Sequence, residues 1–201
     1  MRLRRCGDRA VLVEVGSLDE VEAVRAAVVG ARLDEVVEVV PAARTVLVVT
    51  RDGGQARVRR VLEGVDLGRR SAGEAREVVV PVVYDGPDLA LVADTAGIAV
   101  EEVVRLHSEA VYSVAFCGFA PGFGYLVGLP EALHQPRLDS PRTRVPAGSV
   151  GVAGEYTAAY PRATPGGWRL IGRTDAPLFD VHRDPAALLA PGDRVRFEVV
   201  R

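Results

Sequence analysis

Val114-Ala115-Phe116-Cys117-Gly118-Phe119-Ala120-Pro121-Gly122-Phe123-Gly124-Tyr125-Leu126-Val127-Gly128-Leu129 opens as a buried strand and breaks at once into a loop. Four glycines and Pro121 alternate there with Phe116, Phe119, Phe123 and Tyr125, so three of the chain's five Phe fall in sixteen positions. Glycine admits backbone conformations closed to other residues at an entropic cost. Aromatic rings offset that cost by burying large areas. The combination predicts an ordered loop that lines a pocket.

Upstream, the pattern changes character. Residues 10–15 read as a strand, and Ser17 with Glu20 three positions on makes a capping box for a helix over 18–29 that Gly30 ends. Two strands over 36–40 and 45–50, a helix over 55–62 and a β-branched strand over 77–84 follow. Strand, helix, strand, strand, helix, strand is the split βαβ order of a ferredoxin-like domain. A polar, small-residue stretch over 68–77 reads as a linker, with the last strand assignable to either side. Two helices over 87–95 and 100–108, parted by Gly97, look superficially like a DNA-reading pair. Asp88, Asp94, Glu101 and Glu102 against Arg105 carry the wrong sign for a phosphate-facing element. Beyond position 80, most of the chain's prolines and glycines separate short apolar runs, with strands over 149–153, 168–173 and 194–200. That texture belongs to a small β-barrel or sandwich.

Composition narrows the chemistry. At 201 residues, 48% hydrophobic and net charge −2, the chain builds a real core and has no electrostatic case for nucleic acid or an anionic membrane. All 25 basic residues are Arg, which removes Schiff-base, nucleophilic and Walker-A lysines. Cys6 and Cys117 suggest no disulfide framework, and a reduced, cytoplasmic setting is expected. The N-terminal stretch lacks the apolar run of a signal peptide, and no run approaches a membrane span. His107, His134 and His182 are scattered without metal-ligand spacing, so no metal site is expected. Ala147-Gly148-Ser149-Val150-Gly151 approximates a nucleophile elbow, but no helix follows Ser149, and a tight turn is the better reading. Arg137, Arg142, Arg144 and Arg173 lie beside Pro or Gly, in segments suited to hold an anion contact or two. The alternative for each is an ion pair with Asp139, Asp175 or Asp180.

Several motifs occur in order: His107-Ser108, the run 118–126, Pro141-Arg142, Val145-Pro146-Ala147-Gly148-Ser149-Val150, Tyr160-Pro161, Pro165-Gly166-Gly167-Trp168, Ile171-Gly172-Arg173-Thr174, Leu178-Phe179-Asp180 and Pro191-Gly192-Asp193. Together they resemble the family of the 5-oxoprolinase B component, also known as the sporulation-kinase inhibitor KipI and as allophanate hydrolase subunit 1, and half of a urea carboxylase carboxyltransferase region. The likeness is dense from residue 83 onward and loose before it.

The resemblance implies an α+β fold, with a small α/β N-terminal domain over 1–80 and a cyclophilin-like β-barrel over 81–201. It implies a component inactive alone, acting with C and A subunits in the ATP-dependent opening of 5-oxoproline to glutamate. ATP with Mg would belong to the assembled complex rather than to this chain. Inhibition of a sensor histidine kinase and a carboxyltransferase role are the alternatives. By motif matching, His107, Arg142 and Arg173 are catalytic candidates, and Gly118, Phe119, Pro121, Gly122, Tyr125, Gly148, Ser149, Gly166, Gly167 and Trp168 are substrate-binding candidates. One departure stands out: where the family shows Gln and Gly in G-x-Q-T-G-x-Y-P, this chain has Tyr156 and Ala158.

Overall fold

Valine runs dominate the first half of the chain, and they sort into strands and helix faces by their spacing. The computed structural model describes residues 1–68 and 75–201, so most of the expected linker lies outside the described residues. The chain divides into two compact units, Met1–Glu74 and Ala75–Arg201.

The first unit runs β1 (Arg2–Cys6), β2 (Ala10–Glu14), α1 (Leu18–Gly30), β3 (Val36–Pro41), β4 (Thr45–Thr50) and α2 (Gln55–Glu63). Its antiparallel sheet has the order β1-β2-β4-β3. Val11, Val13, Val46 and Val48 of the sheet pack on Val21, Val24 and Val28 of α1 and on Val58 and Leu62 of α2. Burying each of these aliphatic side chains contributes roughly 1.5–3 kcal/mol. The Ser17 cap forms as expected, its Oγ accepting from the Glu20 amide at 3.2 Å, while the Glu20 carboxylate reaches one residue beyond the cap and accepts from the Gly16 amide at 2.9 Å.

The expected six-element order needs one correction. The strand at 77–84 pairs within the second unit, and the sheet edge beside β2 is filled by β1, from the N-terminus. Arg2, Arg4 and Arg5 hide β1 from a hydrophobicity reading, because an edge strand that buries little can carry charge. The boundary accordingly falls at 74/75 rather than 80/81.

The second unit begins with β5 (Glu77–Val82), α3 (Leu89–Ala96), α4 (Val100–Glu109), β6 (Tyr112–Cys117) and β7 (Gly124–Val127). A 3-10 turn (Glu131–Leu133) leads to β8 (Arg142–Val145), β9 (Ser149–Ala153), β10 (Tyr156–Ala159), β11 (Thr164–Gly166), β12 (Arg169–Arg173) and β13 (Arg194–Val199). The main sheet has the order β12-β9-β10-β7-β6-β13-β5. It is almost closed, because the chain leaving β5 turns onto β12: Val83 and Arg173 exchange two backbone bonds of 2.9 Å, and the Asp88 amide donates to Leu170 O at 2.9 Å. Gly86 permits that crossing, since a Cβ there would sit 2.4 Å from Leu170 O. Helix α4 packs on β13 and α3 on β12.

Alternation gives this sheet two apolar faces. Val114, Leu126, Ala159, Ile171, Val195 and Phe197 point into the barrel. Ala158, Leu170, Tyr160 and Trp168 belong to a second cluster with Val145 of the separate β11–β8 pair. Val114 and Phe116 would share a face in a regular strand, but the β6–β7 register shifts between them, so Val114 opposes Leu126 while Phe116 opposes Tyr125. This bulge carries the aromatic run of the signature stretch onto the outer face. Strands β7, β8, β10 and β11 escape a sequence reading because each is three or four residues long and bordered by Gly or Pro.

Candidate functional site

Seven rings gather on that outer face: Phe116, Phe119, Phe123, Tyr125, Tyr156, Tyr160 and Trp168. Phe116 stacks on Tyr125 at 4.4 Å. Phe123 meets Tyr125, Tyr160 and Trp168 edge-on at 5.0–5.6 Å. Such pairs each contribute roughly 0.5–1.5 kcal/mol beyond their burial. The signature loop enters through Phe119, which sits at φ 66 with its ring 57% exposed, facing Phe123 and Tyr160. Gly118 donates to Phe123 O at 3.1 Å to close the loop; Pro121 lies at its exposed tip, and Gly122 packs on Leu178 and Phe179.

Tyr160 is the centre of this group, and sequence reasoning gave it only a place in a Tyr-Pro motif. Its backbone accepts from Gly148 at 2.7 Å and donates to Ser149 O at 2.8 Å. Gly148 is at φ 79, where a Cβ would lie 2.2 Å from Thr174 O, so only glycine fits. Ser149 is buried in the start of β9, and nothing there resembles a strand-to-helix elbow. A Cβ on Gly166 would meet the Tyr160 hydroxyl at 2.7 Å. The structure thus brings Gly148, Ser149, Gly166, Trp168 and the Phe119–Phe123 loop together around Tyr160.

Burial pushes the Tyr160 phenol up to about 12, with Arg137 and a backbone hydrogen bond at Trp168 pulling the other way. Burial raises the Tyr125 phenol too, and Arg137 again opposes it. Both hydroxyls are therefore neutral donors at physiological pH. An open groove of about 530 Å³ lies along His134, Gln135, Pro136, Gly154, Glu155 and Tyr156. Tyr156, at the position of the family's Gln, joins that groove to the rings through Tyr125, 5.8 Å away. Ala158, at the position of the family's Gly, is buried opposite Gly151 in the β9–β10 ladder.

Of the three catalytic candidates only Arg142 borders this group, donating to Trp168 O at 3.4 Å. Arg142 donates through one nitrogen to both oxygens of Asp88 at 2.7 and 2.8 Å, and Asp88 also accepts from the Leu170 amide at 2.7 Å. Asp88 is 6% exposed, so its charge needs these partners. Arg173 donates to Asp85 at 2.9 Å on the surface. Both arginines are thus engaged by carboxylates, though not by Asp139, Asp175 or Asp180.

His107 needs the firmest correction, because it is fully buried in the barrel. Nδ1 lies 2.7 Å from the Tyr84 hydroxyl and Nε2 2.9 Å from Thr157 Oγ1. Thr157 gives its own proton to Gly151 O at 3.1 Å, so its oxygen must accept from Nε2–H, and Nδ1 must accept from Tyr84. The ring stacks on Phe197 at 4.6 Å. Burial lowers its pKa to about 3. A neutral imidazole with both nitrogens committed and no path to solvent is a structural group. An amphipathic His at the end of α4 carries no signal that separates this role from a catalytic one.

Among the described residues no three metal-ligating side chains cluster, and the chain has no lysine to meet a triphosphate. No helix among the described residues is long and apolar enough to cross a membrane.

The model of the carboxyltransferase domain family, subdomains C and D, matches residues 1–189, taking in the first unit as well as the barrel. The 5-oxoprolinase B component of Escherichia coli is 46% identical over 171 residues, covering 82% of this chain and 78% of that one. The crystal structure of the protein TTHA0988 superposes with a TM-score of 0.82 at 36% identity, over 96% of this chain and 40% of that longer one. The urea carboxylase of Kluyveromyces lactis has the same fold, with a TM-score of 0.71 at 21% identity over 22% of its length. The ordered motifs, the barrel that carries them and these matches agree: the chain belongs to the carboxyltransferase domain family, subdomains C and D.

Proposed function

We propose that this chain is a non-autonomous component of an ATP-dependent 5-oxoprolinase, which hydrolyses the lactam C–N bond of 5-oxoproline to release glutamate. The observation that carries the reading is the 46% identity to a 5-oxoprolinase B component, spread over 171 residues. Three of the motif segments, 118–126, 145–150 and 165–168, also meet at Tyr160. The chain supplies an aromatic surface, a guanidinium and neutral phenols. Phosphoryl transfer needs metal and cationic groups to meet developing charge. Those groups would come from C and A partner subunits, with the second unit as a cyclophilin-like barrel docked on a partner of similar fold.

Reconstitution with the C and A subunits tests this. Glutamate release from 5-oxoproline, coupled to ATP hydrolysis and requiring all three chains, is the expected result. A fully assembled complex that turns over no 5-oxoproline would overturn the assignment.

A further inference from the structure

The chain has no asparagine and two glutamines, Gln55 and Gln135, so it carries two side-chain amides. Gln135 is 2% exposed, and it lies on the wall of the open groove with His134, Glu155 and Tyr156. Arg169 Nη1 donates to Gln135 Oε1 and, at 2.7 Å, to Thr95 Oγ1. A guanidinium carries donors only, so the amide oxygen is fixed on that side and the amide nitrogen turns away from it. That nitrogen meets no partner among the described residues and is not sealed from solvent. Arg169 itself meets neutral oxygens, since Thr95 passes its proton to Leu91 O at 2.7 Å, and its Nε is buried without a partner. A cation on the amide oxygen polarises the N–H bonds and strengthens them as donors. The rest of the groove offers acceptors. His134 Nε2 lies 3.0 Å from Leu129 O, which can only accept, so Nδ1 of the neutral ring is left as an acceptor. Glu155 adds an exposed carboxylate. Tyr156, met edge-on by Phe116 and Tyr125 at 5.9 and 5.8 Å, supplies an apolar wall.

We propose that this groove takes a small cyclic amide, whose carbonyl oxygen accepts from Gln135 Nε2 and whose ring lies against Tyr156. Its N–H faces the acceptors, His134 Nδ1 and the Glu155 carboxylate. A ring holds its amide cis, which sets C=O and N–H on one edge, so a single wall carrying a donor and acceptors can meet both. An open-chain trans amide directs them apart. A bare carboxylate would set its charge against Glu155 and leave the acceptors unmatched. A few placed polar groups beside an apolar wall are what orient a small ligand in a pocket. Arg169 is a positioning residue: it touches no ligand and holds the Gln135 amide in the donating orientation. Naming 5-oxoproline as the natural occupant rests on the function proposed above; the cyclic-amide reading does not.

The shortage of amides makes the test clean. In the nitrogen-15-labelled full chain, side-chain amide signals arise from Gln55 and Gln135, and Gln55, donating to Ala10 O at 3.3 Å in the first unit, is the internal reference. Titration with 2-pyrrolidone should move the Gln135 pair saturably and leave Gln55 in place. Cyclopentanone, which keeps the carbonyl and loses the N–H, should bind about tenfold more weakly, and cyclopentanecarboxylate no better than that. Q135E keeps an acceptor for Arg169 and removes the donor. It should weaken 2-pyrrolidone by about tenfold or more, followed at the Gly154 backbone amide, without lowering the melting temperature. R169M should shift the Gln135 pair in the ligand-free chain, a change that a merely packing role for Arg169 would not produce. An unmoved Gln135 pair, parity of cyclopentanone or the acid with 2-pyrrolidone, or undiminished binding to Q135E would overturn the proposal. Gln135-dependent binding of 2-pyrrolidone without binding of 5-oxoproline would keep the cyclic-amide groove and sink 5-oxoproline as its occupant.

Discussion

Two groups of rings occupy opposite faces of one sheet in the second unit, and they differ in what reaches them. Inside the barrel, His107, Tyr112 and Phe197 pack with the Tyr84 hydroxyl and Thr157, every polar atom of the chain through the imidazole meeting a partner. Outside, Tyr125, Tyr160 and Trp168 meet edge to face, and Tyr156 beside them borders an open groove. Residue type does not separate a structural histidine from a reactive one, or a core tyrosine from a binding tyrosine. The open edge does. Buried polar networks contribute when complete and cost heavily when one member is lost, so the inner group should answer to stability measurements and the outer one to ligands.

The largest effect should come from the inner group. His107→Ala opens a cavity and strands Tyr84 and Thr157, and it should lower unfolding free energy by roughly 3–5 kcal/mol in urea titration. A loss below about 1 kcal/mol would show that the network relaxes, and the contrast between the faces would fail. Acid is a gentler probe of the same residue. Burial depresses the His107 pKa from 6.5 to about 3, so the unfolded chain takes up its proton before the folded one does. Its contribution is therefore complete above pH 6.5 and drains away as pH falls toward 3, on the order of a few kcal/mol. The acid slope over that window should shrink in His107→Ala; an identical slope would assign it to other groups.

Tyr84→Phe removes only the proton that Nδ1 accepts and should cost about 1–2 kcal/mol. The smallest change is expected on the outer face. Phe119→Gly relieves a left-handed φ of 66 while removing a ring that is 57% exposed, and these should offset to within about 1 kcal/mol. A collapse of the 118–123 loop in that variant, read as lost Trp168 emission, would make Phe119 a folding element rather than part of the rim.

Most of the framework was legible in the residues because its determinants are local. The capping box at Ser17 and Glu20, the valine spacing of α1 and the β-branched runs at 45–50 and 149–153 each state their own structure. What stayed hidden depends on partners distant in sequence. Strand β1 is read as strand only because β2 lies beside it, and the 77–84 segment changes unit because β13, over a hundred residues on, offers a parallel edge. At the candidate site, motif matching singled out Trp168, Gly148 and the loop, since glycines at forced turns leave a mark. It could not rank the arginines, because a guanidinium's meaning lies in whether a carboxylate such as Asp88 or Asp85 meets it. Nor could it place His107 behind the sheet, buried among Tyr84, Tyr112 and Phe197.

The bulge between Val114 and Phe116 has a consequence for how such a barrel can diversify. One additional residue works as a phase shift: the alternate positions in step with Val114 face the interior before it and the outer face after it. Substitutions on the two sides can then accumulate under separate constraints, one thermodynamic and one chemical. A library randomising Phe116, Tyr125 and Tyr156 should retain folded members at far higher frequency than one randomising Tyr112, Val114 and Leu126, although both sets sit on the same strands or their neighbours.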